Sequence, residues 1–361
     1  MGAIRKTIMN ILFLNSARRN WGGNERSIQL VAEALSDEHG VVLAYRSELI
    51  GSHFGITKYR LPFLHEADLY TIARLKSIII KHRIDVIIPT KRKDYALAGI
   101  VSRITGIKNI IWLGANRPLK NTWYNKLVYK SLSNGIIVNA MQIQQTLLKT
   151  PFLTENDIRV IYNGIDTRLL DRRATKKKKS CETFTVSAMG RLDSNKGFDF
   201  LLKSFARLLK NRTDIDARLI IIGDGPLKNN YAKLARTLDI AQNVRFCGYL
   251  SDPYPELLES DVYVSSSISE GLSIALLEAM YLANAPISTL AGGGVREIIK
   301  NGTNGFLVDF GDEQALADIL YRLYSDRILR KTIAERAVTT VMERYSMQKI
   351  LHEIIDFCQT A

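Results

Sequence analysis

The sequence predicts an α/β protein built from two consecutive doubly wound parallel sheets. Three observations carry this. Short apolar runs alternate with helical patterns, the alternation is interrupted once and then restarts, and 361 residues is the length of two domains. Hydrophobic residues make up 46% and charged residues 24%, the composition of a globular protein, which excludes wholesale disorder.

In the first half, strands are expected at 8–15, 41–44, 85–88, 109–113 and 135–139. Helical patterns lie around 25–35, 69–82, 95–105, 122–132 and 141–148. The opening run follows Arg5 and Lys6 but is short, and Arg18 and Arg19 stand where a small-residue cleavage site would be. It therefore predicts a first buried strand and not a signal peptide. A polar stretch with Lys176, Lys177, Lys178 and Lys179 then reads as a linker over 171–182. Strands return at 183–189, 217–222, 244–246, 262–264, 286–289 and 305–308, with helices at 198–209, 227–238, 273–283, 315–323, 326–344 and 347–357. The expected domains are 1–170 and 183–345. Sheets of this kind bind ligands beyond the carboxyl ends of their strands, so a cleft between the two domains is the expected site.

No run reaches the ~20 apolar residues of a membrane-spanning helix. The three cysteines, Cys181, Cys247 and Cys358, are far apart and form no CxxC or Cys/His cluster, so no disulfide framework or metal site is indicated. A reducing cytoplasm is the expected compartment. The formal net charge is +14, and +13 of it falls between Met1 and Arg173. That asymmetry points to an anionic partner, against the plain alternative of solubility.

Several chemistries are absent. No GxGxxG follows the first strand, and there is no GxxxxGK[ST], no GxSxG and no His pair at metal spacing. What remains is a set of glycine-rich strand ends with charged residues. Arg191 and Lys196 flank the turn in residues 190–197, between a strand and a helix, where a cation is disfavoured by the helix dipole unless an anion is near. A fork and a point charge suit a diphosphate, while a surface loop with two ordinary basic residues is the plain alternative. Gly223-Asp224-Gly225-Pro226 is a second strand-to-helix turn. The loop Ser265 to Ser273 carries Glu270, and the helix that follows carries Glu278. Their separation lets them bracket an elongated ligand, with the N–H groups of Gly271, Leu272 and Ser273 facing its middle. The alternative is a solvated Glu278 and a capping Glu270. Gly22-Gly23-Asn24 lets a backbone approach a ligand, or places Asn24 as a helix cap.

The ordered set GGNER (22–26), VIYNGID (160–166), GRLDSNKG (190–197), GDGP (223–226), FCGYL (246–250), SEGLSIALLEAM (269–280), and GGGVREII with NGTNGFLV (292–308) resembles the retaining glycosyltransferases of the GT-B fold, glycosyltransferase family 4 (group 1). The resemblance implies two Rossmann-like domains facing across a cleft, with a final helix, about 346–361, packing back on the first. It implies that Arg191 and Lys196 hold a donor diphosphate, Glu270 binds the donor sugar, Glu278 binds the ribose, and Gly271, Leu272 and Ser273 contact the diphosphate or sugar. Gly225, Tyr249 and Leu250 would hold the base, Gly23 would approach the phosphates, and Asn163 would sit at the hinge. Where the family often carries a histidine just after the strand at 109–113, this chain has Gly114-Ala115-Asn116-Arg117. Asn116 and Arg117, with Lys91, Arg92 and Lys93, are the acceptor-side candidates.

The expected activity is metal-independent transfer of a sugar from a UDP- or GDP-linked donor to a glycan or lipid-linked acceptor in lipopolysaccharide or polysaccharide assembly. No other cofactor is implied. The expected place is the cytoplasm, at the inner face of the membrane, with an anionic acceptor or surface as partner. The segment 120–130 interleaves aromatic and basic residues, and Trp123, Leu127 and Lys130 are expected on one helical face. A nucleotide-sugar epimerase of the same fold stays open. A nucleic-acid or anion-binding protein also stays open, although no nucleic-acid module is present.

Overall fold

The computed structural model describes residues 8–19, 21–174, 183–212, 215–269, 272–290 and 294–361. The chain divides into two compact units, Met1–Gly164 with Met347–Ala361, and Ile165–Ser346.

The first unit carries strands β1 (Asn10–Asn15), β2 (Gly40–Tyr45), β3 (Thr57–Arg60), β4 (Val86–Pro89), β5 (Lys108–Leu113), β6 (Gly135–Val138) and β7 (Ile158–Val160). They pair in parallel in the order β3-β2-β1-β4-β5-β6-β7. Alternation along β1 divides the core. Ile11 and Phe13 meet Ile28, Val31 and Leu35 of the helix Gly23–Ser36, while Leu12 and Leu14 meet Leu75, Ile79, Leu97 and Val101 on the opposite face. The helix Met347–Thr360 adds Ile350, Ile354 and Phe357 to the first of these layers. Gly135 and Gly164 admit it, because side chains there would press on Phe357 and on Met347 and Ile350. The Lys108 ammonium donates to the carbonyls of Cys358 (3.2 Å) and Gln359 (2.7 Å), a cation at a helix C-terminus.

The second unit carries β8 (Phe184–Met189), β9 (Ala217–Ile222), β10 (Val244–Gly248), β11 (Val262–Ser265), β12 (Ala285–Thr289) and β13 (Phe306–Val308), paired in parallel in the order β10-β9-β8-β11-β12-β13. Both sheets therefore reverse direction between their first and fourth strands, and each has a switch point there: β1/β4 and β8/β11.

Three expectations are corrected. Strands β3 and β7 have no counterpart among the expected ones, because β3 is a polar, exposed edge strand and β7 has only three residues. The helix expected at 122–132 is a short α-turn, Trp123–Lys126, continued as a π-helix, Leu127–Ser131, so its side chains do not follow a 3.6-residue period. Val128 and Tyr129 are buried and Lys130 pairs with Asp157 at 2.6 Å, whereas Trp123 is 78% exposed. The stretch expected as a linker from Asp171 begins inside a helix, Thr167–Ala174, and residues 165–170 belong to the second unit. Anchors distant in sequence hold it: the Ile165 N–H donates to Tyr345 O (3.0 Å), and the Tyr281 hydroxyl donates to Asp171 (2.6 Å). Lys176–Lys179 and Cys181 lie outside the described residues. No helix among the described residues is long and apolar enough to cross a membrane.

Candidate functional site

The carboxyl edge of the second sheet is built from loops that carry each other. After β8 the chain turns through residues 190–197 and after β9 through 223–227, and β11 is followed by residues 266–269. Gly190 N–H donates to Ile222 O (3.0 Å), Leu192 N–H to Asp224 O (3.0 Å), Gly223 N–H to Gly248 O (2.8 Å) and Leu227 N–H to Leu192 O (2.9 Å). The loops after β8 and β9 and the end of β10 are thus laced by backbone alone. Gly225 must lack a side chain, since a Cβ would stand 2.6 Å from Leu192 O.

Across the β8/β11 switch point, the Asn195 amide donates to Ser269 O (2.8 Å), Ile268 N–H donates to Asn195 O (2.8 Å), and the Ser266 hydroxyl donates to Lys196 O (2.8 Å). Gly197 turns beneath Ser266 with φ +61°, and any side chain would collide with that backbone. The aliphatic stem of Lys196 lies across Gly190, its Cδ and Cε 3.3 Å from where a Cβ would be. Arg191 is 73% exposed, its Nε 3.8 Å from Asp193. Ser273 caps the helix Ile274–Tyr281, accepting the Leu276 N–H at 3.4 Å, and Leu272 is buried beside it. Arg191, Lys196, Ser273 and the serine loop therefore belong to one edge. Glu270 and Gly271 lie outside the described residues, as do Gly292 and Gly293.

Glu278 is buried, not solvated, and its Oε1 accepts the Tyr254 hydroxyl at 3.0 Å. The Tyr254 ring lies under the Arg173 guanidinium at 5.2 Å, and Arg173 pairs with Asp252 at 2.5 Å. Sequence reasoning missed Tyr254: nothing in its spacing announces a partner 24 residues away. At the end of β10, Gly248 adopts φ +72° beside Asp224 and Lys228, Tyr249 beyond it is 79% exposed, and Leu250 is half-buried. Lys228 (3.1 Å) and the Gly225 N–H (2.8 Å) hold the Asp224 carboxyl below its usual range.

The first unit has its own switch point. Gly22 is the N-cap of the helix Gly23–Ser36, so Asn24 is not a cap. Asn24 packs against Gly114, and Gly23 faces space: a Cβ placed there would meet no atom within 4 Å. Lys91 pairs with the buried Glu25, which also accepts the Gly22 N–H at 3.1 Å. Arg92, Lys93, Asn116 and Arg117 are exposed. Asp94 is wholly buried at the first turn of the helix Arg92–Thr105, and it accepts the Ser16 N–H at 3.1 Å. Burial pushes its carboxyl up to about 7, against the opposing pull of Ser16 and Lys91. Asn163 is buried and accepts the Ser27 hydroxyl at 2.7 Å, next to Gly164, where the first unit's main segment ends. Among the described residues no group of three or more His, Cys, Asp or Glu is placed to hold a metal ion.

Two parallel-sheet units, the second with a glycine-laced, cation-bearing carboxyl edge, define the architecture of the GT-B glycosyltransferases. A crystal structure of Anabaena HepE in complex with UDP superposes with a TM-score of 0.77, at 21% identity, over 98% of this chain and 100% of that one. The family model "Glycosyl transferases group 1" matches residues 171–340 and "Glycosyltransferase Family 4" matches 21–169. The chain belongs to this family of glycosyltransferases. It is 32% identical to the lipopolysaccharide core biosynthesis glycosyltransferase LpsE of Rhizobium meliloti, over 54% of this chain and 56% of that protein. It is 27% identical to the N-acetylgalactosamine-N,N'-diacetylbacillosaminyl-diphospho-undecaprenol 4-alpha-N-acetylgalactosaminyltransferase of Campylobacter jejuni, over 61% of this chain and 60% of that one. These matches span little more than half the length of either relative.

Proposed function

We propose that this protein transfers a sugar from a nucleotide-sugar donor to a glycan or lipid-linked saccharide, with retention at the anomeric carbon, in the assembly of lipopolysaccharide or a related polysaccharide. The single observation that carries the reading is the pair Arg191 and Lys196 on the loop at the β8/β11 switch point, joined by hydrogen bonds to the serine loop. As the bond from the anomeric carbon to the diphosphate breaks, negative charge gathers on the diphosphate. Two cations held on a laced backbone stabilise that charge without reorganising. They supply the role that a divalent ion would otherwise fill, which is the reason for reading the reaction as metal-independent.

In this reading Glu278 accepts hydroxyls of the ribose, Glu270 those of the donor sugar, and Gly271, Leu272 and Ser273 line the diphosphate. Gly225, Tyr249 and Leu250 take the base, which is uracil or guanine. Gly23 supplies bare backbone from the first unit, and Asn116, Arg117, Arg92 and Lys93 serve the acceptor, with Lys91 bracing Glu25. The exposed Trp123 between Lys120 and Lys126 supports docking on an anionic membrane at its cytoplasmic face, where a lipid-linked acceptor is presented.

The test is a panel of UDP- and GDP-sugars, scored for nucleoside diphosphate release with and without lipid-linked saccharides, followed by NMR of the product's anomeric centre. Sugar transfer with retained configuration is expected. An epimerised sugar nucleotide formed without acceptor would overturn the proposal.

A further inference from the structure

The Tyr254–Glu278 pair carries a consequence for how the ribose is recognised, and it rests on the donor-site reading above. A carboxylate on a helix can turn about its last bond, and each turn changes where its lone pairs point. Glu278 is buried on the helix Ile274–Tyr281, and the Tyr254 hydroxyl approaches its Oε1 at 3.0 Å from a separate helix, Tyr254–Leu258. A donor from outside the helix fixes that rotation.

Tyr254 is itself held. Its ring is buried, and the Arg173 guanidinium lies over it at 5.2 Å, in an ion pair with Asp252 at 2.5 Å. Arg173 belongs to the helix Thr167–Ala174, which is tied directly to the Glu278 helix by the Tyr281 hydroxyl on Asp171 at 2.6 Å. Two helices far apart in sequence thus brace one carboxylate.

We infer that Tyr254 is a positioning residue that orients the Glu278 carboxylate toward the ribose hydroxyls of the donor nucleotide, with Arg173 holding the Tyr254 ring in place. Tyr254 touches no substrate in this arrangement. It sets how strongly the site prefers a ribonucleotide to its deoxy counterpart.

The experiment titrates UDP and GDP by calorimetry, takes the tighter of the two, and compares it with its 2′-deoxy analogue. Wild type should favour the ribonucleotide. Tyr254→Phe keeps the ring and removes the hydroxyl. It should weaken ribonucleotide binding about 10-fold, as expected for losing a hydrogen bond to a charged group, and weaken binding of the deoxy analogue less, because that ligand presents only its 3′-hydroxyl to Glu278. In Glu278→Ala the same Tyr254→Phe change should have no further effect. Arg173→Met, at a half-exposed position, should reproduce the loss of discrimination in weaker form. A Tyr254→Phe effect that is equal on both nucleotides, or that persists in Glu278→Ala, would overturn the inference and leave the donor site standing. Unchanged ribonucleotide affinity in Glu278→Ala would overturn the donor-site reading, and this inference with it.

Discussion

The two switch points share a topology and differ in what closes them. At β8/β11 the loops are held by the Ile268 N–H on Asn195 O, the Asn195 amide on Ser269 O and the Ser266 hydroxyl on Lys196 O, with Gly197 against the Ser266 backbone and Arg191 exposed. At β1/β4 acidic side chains are buried in the crossing: Glu25 pairs with Lys91, and Asp94 accepts the Ser16 N–H. The lesson is that strand order only provides a crevice. In the second unit the loops are joined across strands by backbone and neutral side-chain hydrogen bonds, whereas in the first two buried carboxylates are built into the crossing itself.

The largest expected effect tests that contrast directly. Arg191→Ala or Lys196→Ala should lower kcat/KM by about 10²-fold or more, with an unchanged melting temperature. Lys91→Ala should do the reverse. It strands the buried Glu25 and should cost the first unit roughly 2 kcal/mol of stability, measured by urea unfolding. Near-normal turnover in the first two variants would break the comparison.

The glycines sharpen it. Gly197→Ala should destabilise the second unit by roughly 1–3 kcal/mol, because its φ is positive and the Ser266 backbone blocks a side chain. Gly23→Ala meets no atom and should leave unfolding within about 0.5 kcal/mol of wild type, while slowing sugar transfer. A stability loss at Gly23 would make its bareness a matter of folding and not of ligand approach.

Asp94 gives a smaller, pH-dependent effect. Its carboxyl titrates near 7 in the folded chain and near 4 when unfolded. Between those values the folded state binds more protons, so its contribution to stability falls as pH rises through that window. Asp94→Asn removes the titration. The melting-temperature difference, variant minus wild type, should therefore grow between pH 4 and 8, as read by scanning calorimetry. A constant difference would mean that the site ionises at an ordinary value. The smallest expected effect is at the surface. Trp123→Ser should reduce sedimentation with anionic vesicles a few-fold and leave transfer to a soluble acceptor intact.

How much of this was legible in the sequence follows the same division. The second unit's edge was readable, because a backbone-built loop must use glycine and serine where the turns fall, and its cations stand beside them. The first unit's polar cluster was not. Asp94 reads as one charge in a basic run, and only the fold puts it beneath the Ser16 N–H. Glu278 was legible as a candidate ligand-binding carboxylate on the helix after the serine-rich loop, but its partner Tyr254 was not, since a hydroxyl–carboxylate contact between helices leaves no local pattern. The edge strand β3 went unseen because exposed strands need no apolar alternation.

The helix Met347–Thr360 bears on the order of synthesis. Ribosomes release the first unit's seven strands early, yet Ile350, Ile354 and Phe357, which finish one face of its core, emerge only after the whole second unit. Domains generally fold as they appear. Here the second unit is free to mature while the first waits with an apolar groove uncovered. The half of the protein translated first is the last to be completed, and its exposed interval lasts as long as the other half takes to make.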